Sequence, residues 1–182
     1  MTGIDFDCET CGEHHEEHDG TPASPWPLLE FPAPEAFLRM DPWDRILRTR
    51  LEETLCLIDN GRSTDAYVTA ILRFPVRGEE AALLCAPWVH IDVNAFREAL
   101  ANFADPRYRE TIPGTLATVL PGLEEPLGIP VRVQVTGGGL PPLISPDAHA
   151  RARPLAHELR VGITRAEAEL RLRSMMLEDP VL

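Results

Sequence analysis

Two cysteines and three histidines near the N-terminus are the residues of this chain best suited to chemistry. The stretch "FDCETCGEHHEEHDG", residues 6–20, places Cys8 and Cys11 three positions apart and Gly12 directly after them, and three histidines follow within five residues. Two thiolates at this spacing can converge on one zinc ion, at zinc–sulfur distances of about 2.3 Å. Gly12 permits the tight turn that such a pair needs. We therefore expect residues 1–20 to form a small head, like half of a zinc knuckle, around a structural zinc ion.

The other ligands of this zinc ion must come from further residues. A structural zinc ion takes four ligands, and the chain has no second C-x-x-C pair. One nitrogen can come from one of the histidines His14, His15 and His18, and a third thiolate from Cys56 or Cys85. Cys56 is the better candidate, because "TLCLID" is a predicted strand at whose start a side chain could face the head. Cys85 lies in the apolar run "ALLCAPW", which is typical of a buried small hydrophobic residue.

Three other interpretations of the opening stretch carry less weight. A redox C-x-x-C needs a following helix, but glycine, two histidines and two glutamates follow here without apolar periodicity. "HHEEH" resembles the H-E-x-x-H motif of zinc proteases, but His15 stands where the general-base glutamate should be. The plainest alternative is an acidic tail whose thiols do nothing.

Composition excludes several functions. All 17 basic residues are arginine, so a Walker A phosphate loop and Schiff-base chemistry, which both need lysine, are ruled out. The net charge is -12, and residues 1–60 hold 14 acids against four arginines, so we expect no nucleic-acid binding. No apolar run is long enough to span a bilayer, and four cysteines suit a reducing compartment. We therefore expect a cytoplasmic protein without a membrane segment.

The elements that must position the head form one α+β domain. Residues 21–34 contain five prolines and are predicted to wrap the body as an extended segment. Residues 35–182 form the body, starting with helical turns that are interrupted at Pro42. The end of the body carries Thr164 and Glu167 three positions apart, as in a capping box that begins a terminal helix.

Between these helices the sequence predicts an antiparallel sheet with flanking helices. "TLCLID", "DAYVTAILRFPV" and "EAALLCAPWVHID" are rich in apolar and β-branched residues and predict three strands of a meander. Asn94 is predicted to cap a helix over "AFREALANF". In "IPVRVQV" three valines alternate with Arg132 and Gln134, which indicates a half-buried strand.

Several of these motifs, taken in order, resemble a bacterial family known only as domain of unknown function 2199. They are F-x-C-x-x-C-G-x-x-H at residues 6–15, "LCLID" at 55–59, "PWVHID" at 87–92 and "PLAHELRVGIT" at 154–164. The resemblance spans nearly the whole chain and implies one domain. It also implies that a metal would be held by Cys8, Cys11, His15 and Cys56. Ala86 and Pro87 stand where the family usually has glycine and tryptophan. The family brings no known reaction.

By elimination, the leading hypothesis is a zinc-stabilised, non-enzymatic domain that binds another protein. The chain shows no nucleophile motif, phosphate loop or paired catalytic acids. A competing hypothesis is an enzyme that uses His90 and Asp92, which alternate in "WVHID" and could share one face of a strand. A third is a metal sensor, which would exchange its zinc where a structural site retains it.

Overall fold

The structure is a computed structural model that describes residues 26–123, 127–150 and 153–177. Its strands are β1 (Leu29–Glu30), β2 (Thr49–Leu51), β3 (Leu55–Asp59), β4 (Thr64–Thr69), β5 (Leu72–Pro75), β6 (Ala82–Ala86), β7 (Trp88–Ile91), β8 (Glu110–Leu116), β9 (Pro130–Val135) and β10 (Leu143–Pro146). Its helices are α1 (Glu35–Leu38), α2 (Pro42–Arg48), α3 (Val93–Asn102), α4 (Pro154–Val161) and α5 (Arg165–Leu177), with a 3₁₀ turn at Ala148–Ala150. This combination confirms the predicted α+β class.

Most strands belong to one large antiparallel sheet. Its strand order is β10-β9-β8-β7-β4-β3-β2, and every neighbouring pair is antiparallel. A smaller sheet has the order β1-β6-β5, in which β1 runs parallel to β6 and β5 runs antiparallel to it. The described body is therefore built around the large sheet, with the smaller sheet packed beside it.

Two of the predicted long strands are wrong as single strands, because each one crosses between the sheets. "DAYVTAILRFPV" breaks at Ala70 into β4 of the large sheet and β5 of the small sheet. "EAALLCAPWVHID" breaks at Pro87 into β6 and β7 in the same way. Pro87 has no N–H to donate to a ladder, so a break there leaves no donor unsatisfied. The two breaks face each other, and the Ala70 N–H donates to the carbonyl of Pro87 at 3.3 Å.

The inner face of the large sheet, defined by Val89, Ile91 and Val133, carries the main hydrophobic core. The predicted alternation of β9 is confirmed, since Val131, Val133 and Val135 are buried there while Gln134 is exposed. Burying a Val, Leu or Phe side chain contributes about 1.5–3 kcal/mol, so this apolar face is the main source of stability.

The outer face of the same sheet carries a second, smaller core. Cys56, Ile58, Tyr67, Trp88 and Ala117 form it, and half-buried side chains from the N-terminal segment, Phe31, Phe37 and Met40, pack against them. The indole N–H of Trp88 donates to the carbonyl of Phe31 at 2.8 Å. The chain between β1 and α2 therefore covers part of the outer face.

Short polar motifs set the ends of the helices. The helical interruption predicted at Pro42 is confirmed, because Pro42 begins α2 and Asp41 accepts a hydrogen bond from the Trp43 N–H at 2.9 Å. The predicted cap at Asn94 is wrong by two residues. Asp92, also a strong capping residue, accepts from the N–H groups of Asn94 and Ala95 and starts α3 there. Within the described residues, no helix has the length and apolar character needed to cross a bilayer.

Candidate functional site

The predicted zinc ligands fall into two groups in the structure. Cys8, Cys11 and His15 lie outside the described residues. Cys56, the remaining predicted ligand, lies within the described residues and forms no disulfide. The set of four therefore stays a prediction, and the structure supplies the surroundings of one member.

Cys56 lies inside the small core on the outer face of the sheet. Its side chain is 0% exposed, in the middle of β3, one strand in from the edge strand β2. Burial raises the pKa of its thiol to about 11, so the free thiol is protonated at neutral pH. A thiol is the right donor type for zinc, but metal binding would have to displace this proton.

A row of side chains with polar groups crosses the outer face from Cys56. The register pairs Cys56 with Tyr67 and Tyr67 with His90, so the three share one face of three neighbouring strands. The rings of Tyr67 and His90 are 5.1 Å apart between centroids. His90 Nε2 lies 3.7 Å from the carboxylate of Asp65. Burial, followed by the charge of Asp65, raises the pKa of Tyr67 to about 12, which keeps its hydroxyl neutral.

The predicted pair of His90 and Asp92 does not form one site. Both carboxylate contacts of Asp92 are hydrogen bonds to the first turn of α3, and the carboxylate near His90 belongs to Asp65. The reason is the turn into α3, which makes Asp92 the residue before a helix instead of a strand residue. The carboxylate close to His90 is that of Asp65 in β4, a strand that is adjacent to β7 in space but distant from it in sequence.

Cys56 belongs to no complete metal site among the described residues. Across residues 26–123, 127–150 and 153–177, no group of three or more histidine, cysteine, aspartate or glutamate side chains could hold a metal ion. A four-coordinate zinc ion at Cys56 would therefore have to take at least two ligands from outside these ranges, and the predicted set of Cys8, Cys11 and His15 would supply three.

Helix α2 presents an apolar surface to solvent. Trp43, Ile46 and Leu47 are 72%, 72% and 76% exposed. Their spacing of three and four positions places them on one face of the helix, and we call these three residues the α2 patch. The other two tryptophans, Trp26 and Trp88, are buried. The α2 patch is therefore a surface with a large aromatic side chain that the described part of the chain leaves uncovered.

Helix α2 is held firmly although it has only seven residues. The guanidinium of Arg45 stacks over the ring of Phe37 and donates to the carbonyls of Leu38 and Met40. The guanidinium of Arg48 donates to the carbonyl of Asp59 at 2.8 Å, which ties the helix to the end of β3. The α2 patch is consequently presented on a fixed backbone.

The inner face holds a different feature, a cavity of about 340 Å³ between α3 and the sheet. Helix α3 supplies Phe96, Ala99, Leu100 and Phe103, and strands β3, β4, β7, β8 and β9 supply the floor. None of the described residues that line it is charged. We call this space the α3 cavity.

Sequence reasoning missed both the α2 patch and the α3 cavity. The helical turns predicted around Pro42 include Ile46 and Leu47, and both side chains face solvent. A usable signal was present, since Trp43 joins them on a two-turn helix that also carries Arg45 and Arg48. No pattern in the sequence marks the α3 cavity, because empty space arises from the packing of distant elements.

Comparison with known proteins gives a family without an assigned activity. The sequence model of a family described as an uncharacterized protein conserved in bacteria (DUF2199) matches residues 7–163. No curated protein and no solved structure matches the chain. The matched region covers most of the 182 residues and includes the positions of Cys8, Cys11, His15 and Cys56. The chain therefore belongs to this bacterial DUF2199 family.

Proposed function

We propose that this chain is a zinc-stabilised, non-enzymatic domain that binds another protein through the α2 patch. The observation that carries the proposal is the exposure of Trp43, Ile46 and Leu47 on one face of a firmly held helix. Contiguous apolar surface of this kind marks interaction sites, and tryptophan and arginine are enriched among residues that dominate binding energy.

The surroundings of the α2 patch define the chemistry of its partner. Residues 39–50 hold four arginines and two aspartates, but Arg39, Arg48 and Arg50 are paired with Glu35, Asp44 and Glu52. The chemistry of the partner therefore follows from the apolar side chains, and a matching surface has an apolar pocket for the indole of Trp43 with a polar rim. A second copy of this chain fits less well, because two molecules of net charge -12 repel each other.

The zinc ion is proposed as a structural clip between the head and the sheet. Cys8, Cys11, His15 and Cys56 would hold it, a ligand set of three thiolates and one imidazole that is common in structural zinc sites. Support comes from the free thiol of Cys56 and from the family match, which begins at residue 7 and so includes the head. Zinc-ligating thiols must stay reduced, which is the reason for proposing the cytoplasm as the compartment.

A non-enzymatic role is supported by the state of the polar residues on the outer face. The hydroxyl of Tyr67 is neutral at pH 7, because burial raises its pKa to about 12. Asp92, half of the alternative catalytic pair, is occupied in capping α3. Neither group is set up to act as a base or nucleophile, and the thiolate of Cys56 would be bound to zinc.

The test is affinity capture from a bacterial lysate at low and at physiological salt, with immobilised full-length protein. We would compare the wild type with Trp43→Ala and with Leu170→Ala, a control at an exposed leucine of α5. A partner that docks on the α2 patch is recovered by the wild type and by the control, and is depleted with Trp43→Ala. The purified partner should then bind Trp43→Ala about 30-fold more weakly, as expected for a central tryptophan worth about 2 kcal/mol.

Tryptophan fluorescence gives an independent reading of the same contact. Trp43 is the exposed member of the three tryptophans, so its emission should shift to the blue when the purified partner covers it. Recovery of the same proteins by all three baits, or binding without any emission change, would exclude the α2 patch as the docking site. Sedimentation of the protein alone as a dimer that Trp43→Ala dissociates would show instead that a second copy covers the patch.

A further inference from the structure

The α3 cavity lies on the inner face of the large sheet and shares no residue with the α2 patch. Its floor is the inner face of the sheet and its roof is α3, from which Phe96 and Phe103 project two turns apart. Between them, Ala99 is half-buried and leaves room that a larger side chain would fill. The result is an apolar pocket of about 340 Å³ that opens to solvent beside α3.

The lining of the α3 cavity selects for ligands without charge. Charged side chains are absent from the described residues that line it, and two threonines, Thr54 and Thr69, are among them. Thr69 pairs with Trp88 of the outer face, so Thr54 is the threonine whose hydroxyl is available to the cavity. These two threonines are neighbours, because the Thr69 N–H donates to the carbonyl of Thr54 at 3.0 Å. A carboxylate or ammonium group inside would lose its hydration without gaining a counter-ion, which is strongly unfavourable. A neutral hydroxyl or carbonyl group can instead form a hydrogen bond with a threonine.

The size of the α3 cavity suits a small molecule. Ligand pockets have volumes of about 300–1,000 Å³, and an engineered apolar cavity of about 150 Å³ is enough to bind benzene. A space of about 340 Å³ therefore accommodates roughly eight to twelve carbon atoms. It is too small for a helix or strand of a partner protein.

The α3 cavity is also accessible without unfolding. It is open to solvent on one side, where Leu100 of α3 is 57% exposed. The loop through Gly139, Pro141 and Pro142 forms part of the same rim. A ligand can therefore reach the inner face past residues that already contact water.

We propose that the α3 cavity binds a neutral, largely apolar small molecule of about eight to twelve carbon atoms, with a hydroxyl or carbonyl group directed to Thr54. This site is independent of the α2 patch and of the zinc ion, because neither shares a residue with its lining.

Calorimetric titration of the full-length protein with octan-1-ol, and separately with octanoate, tests the proposal. The two probes share a chain length and differ in charge. We expect octan-1-ol to bind saturably with one molecule per chain, and octanoate to bind at least tenfold more weakly. Absence of saturable binding of octan-1-ol, or equal binding of both probes, would overturn the proposal.

Three variants assign the binding to the α3 cavity. Ala99→Leu fills the space and should weaken octan-1-ol binding at least tenfold. Leu100→Glu places a charge at the rim and should also weaken it, and this exposed position keeps the test decisive if Ala99→Leu does not fold. Leu170→Glu is the matched control, at an exposed leucine of α5 outside the cavity, with 58% exposure against 57% for Leu100. Unchanged binding in Leu100→Glu, or equal weakening in Leu170→Glu, would place the probe elsewhere and refute the proposal.

Discussion

At the scale of single residues, Cys56 and Cys85 form a natural comparison. Both are buried free cysteines that lie in β-strands, and burial raises the pKa of the Cys56 thiol to about 11 and that of the Cys85 thiol to about 12. They differ in position, since Cys56 lies in the outer core and Cys85 in the main core. The interpretation of Cys85 as a buried hydrophobic residue is confirmed by its 2% exposure. Cys56 is equally buried, so burial alone does not distinguish a ligand from a packing residue.

Serine substitutions separate these two roles. Either change replaces a buried thiol by a hydroxyl, which by itself should lower the free energy of unfolding by about 1–3 kcal/mol, and Cys56→Ser should lose further stability together with its zinc. Only Cys56→Ser should also reduce the bound zinc, because only Cys56 is proposed as a ligand. The measurement is zinc content and chemical denaturation of both variants beside the wild type. Full zinc retention in Cys56→Ser would remove Cys56 from the ligand set.

At the scale of elements, helix α5 shows how much a local motif can specify. The capping box that the sequence predicts is present in the structure. The Glu167 carboxylate accepts from the N–H and the hydroxyl of Thr164 at 2.6 and 2.7 Å, and the Glu167 N–H donates to the Thr164 hydroxyl oxygen at 3.2 Å. All partners lie within four residues, so no tertiary information was needed to predict them.

Substitution of Thr164 measures the contribution of this capping box. Thr164→Ala should lower the free energy of unfolding by about 1 kcal/mol, the usual effect of losing an N-cap hydroxyl. For a chain of this size that corresponds to a decrease in Tm of about 2–4 °C. Ser174→Ala is the control, since the Ser174 hydroxyl donates to the Leu170 carbonyl inside the same helix and carries no capping role. Equal losses of stability in the two variants would contradict the special role of the cap.

The same capping box gives a defined pH dependence. Hydrogen bonds from Thr164 hold the pKa of Glu167 below its usual value of 4.5, so the unfolded chain binds this proton more readily than the folded protein. The stabilisation from Glu167 is therefore complete above about pH 4.5 and is lost as the pH falls through the lower folded value. The measurement is the free energy of unfolding of the wild type and of Glu167→Gln, determined by denaturation between pH 3 and pH 7. This free energy should depend less on pH in the variant than in the wild type. Parallel pH profiles would exclude Glu167 as a contributor.

At the scale of the whole molecule, the sequence predicts the class of fold better than the path of the chain. The period-two pattern of β9 and the interruption of the helical turns at Pro42 depend on local residue types, and both are confirmed. The crossings at Ala70 and Pro87 depend on which strands pair, so the sequence predicted two long strands where four short ones occur.

The candidate site could be predicted only in part for the same reason. Residue types and spacing indicate the head around Cys8 and Cys11, and the family match includes these positions. The contact of His90 with Asp65 and the exposure of Trp43 are consequences of tertiary packing. Neighbours of a strand residue belong mostly to other strands, so Asp92, the nearest acid in the sequence, was the wrong partner for His90.

The proposed zinc ion would join the head to the body, and metal content tests this proposal directly. We would determine zinc by mass spectrometry on protein purified without a histidine tag, beside Cys8→Ser, and follow thermal unfolding of both. The expected result is one zinc per chain in the wild type, with loss of the metal and a lower Tm in the variant. Wild-type protein that contains no zinc, or a variant that keeps both its zinc and its Tm, would contradict the proposed zinc clip.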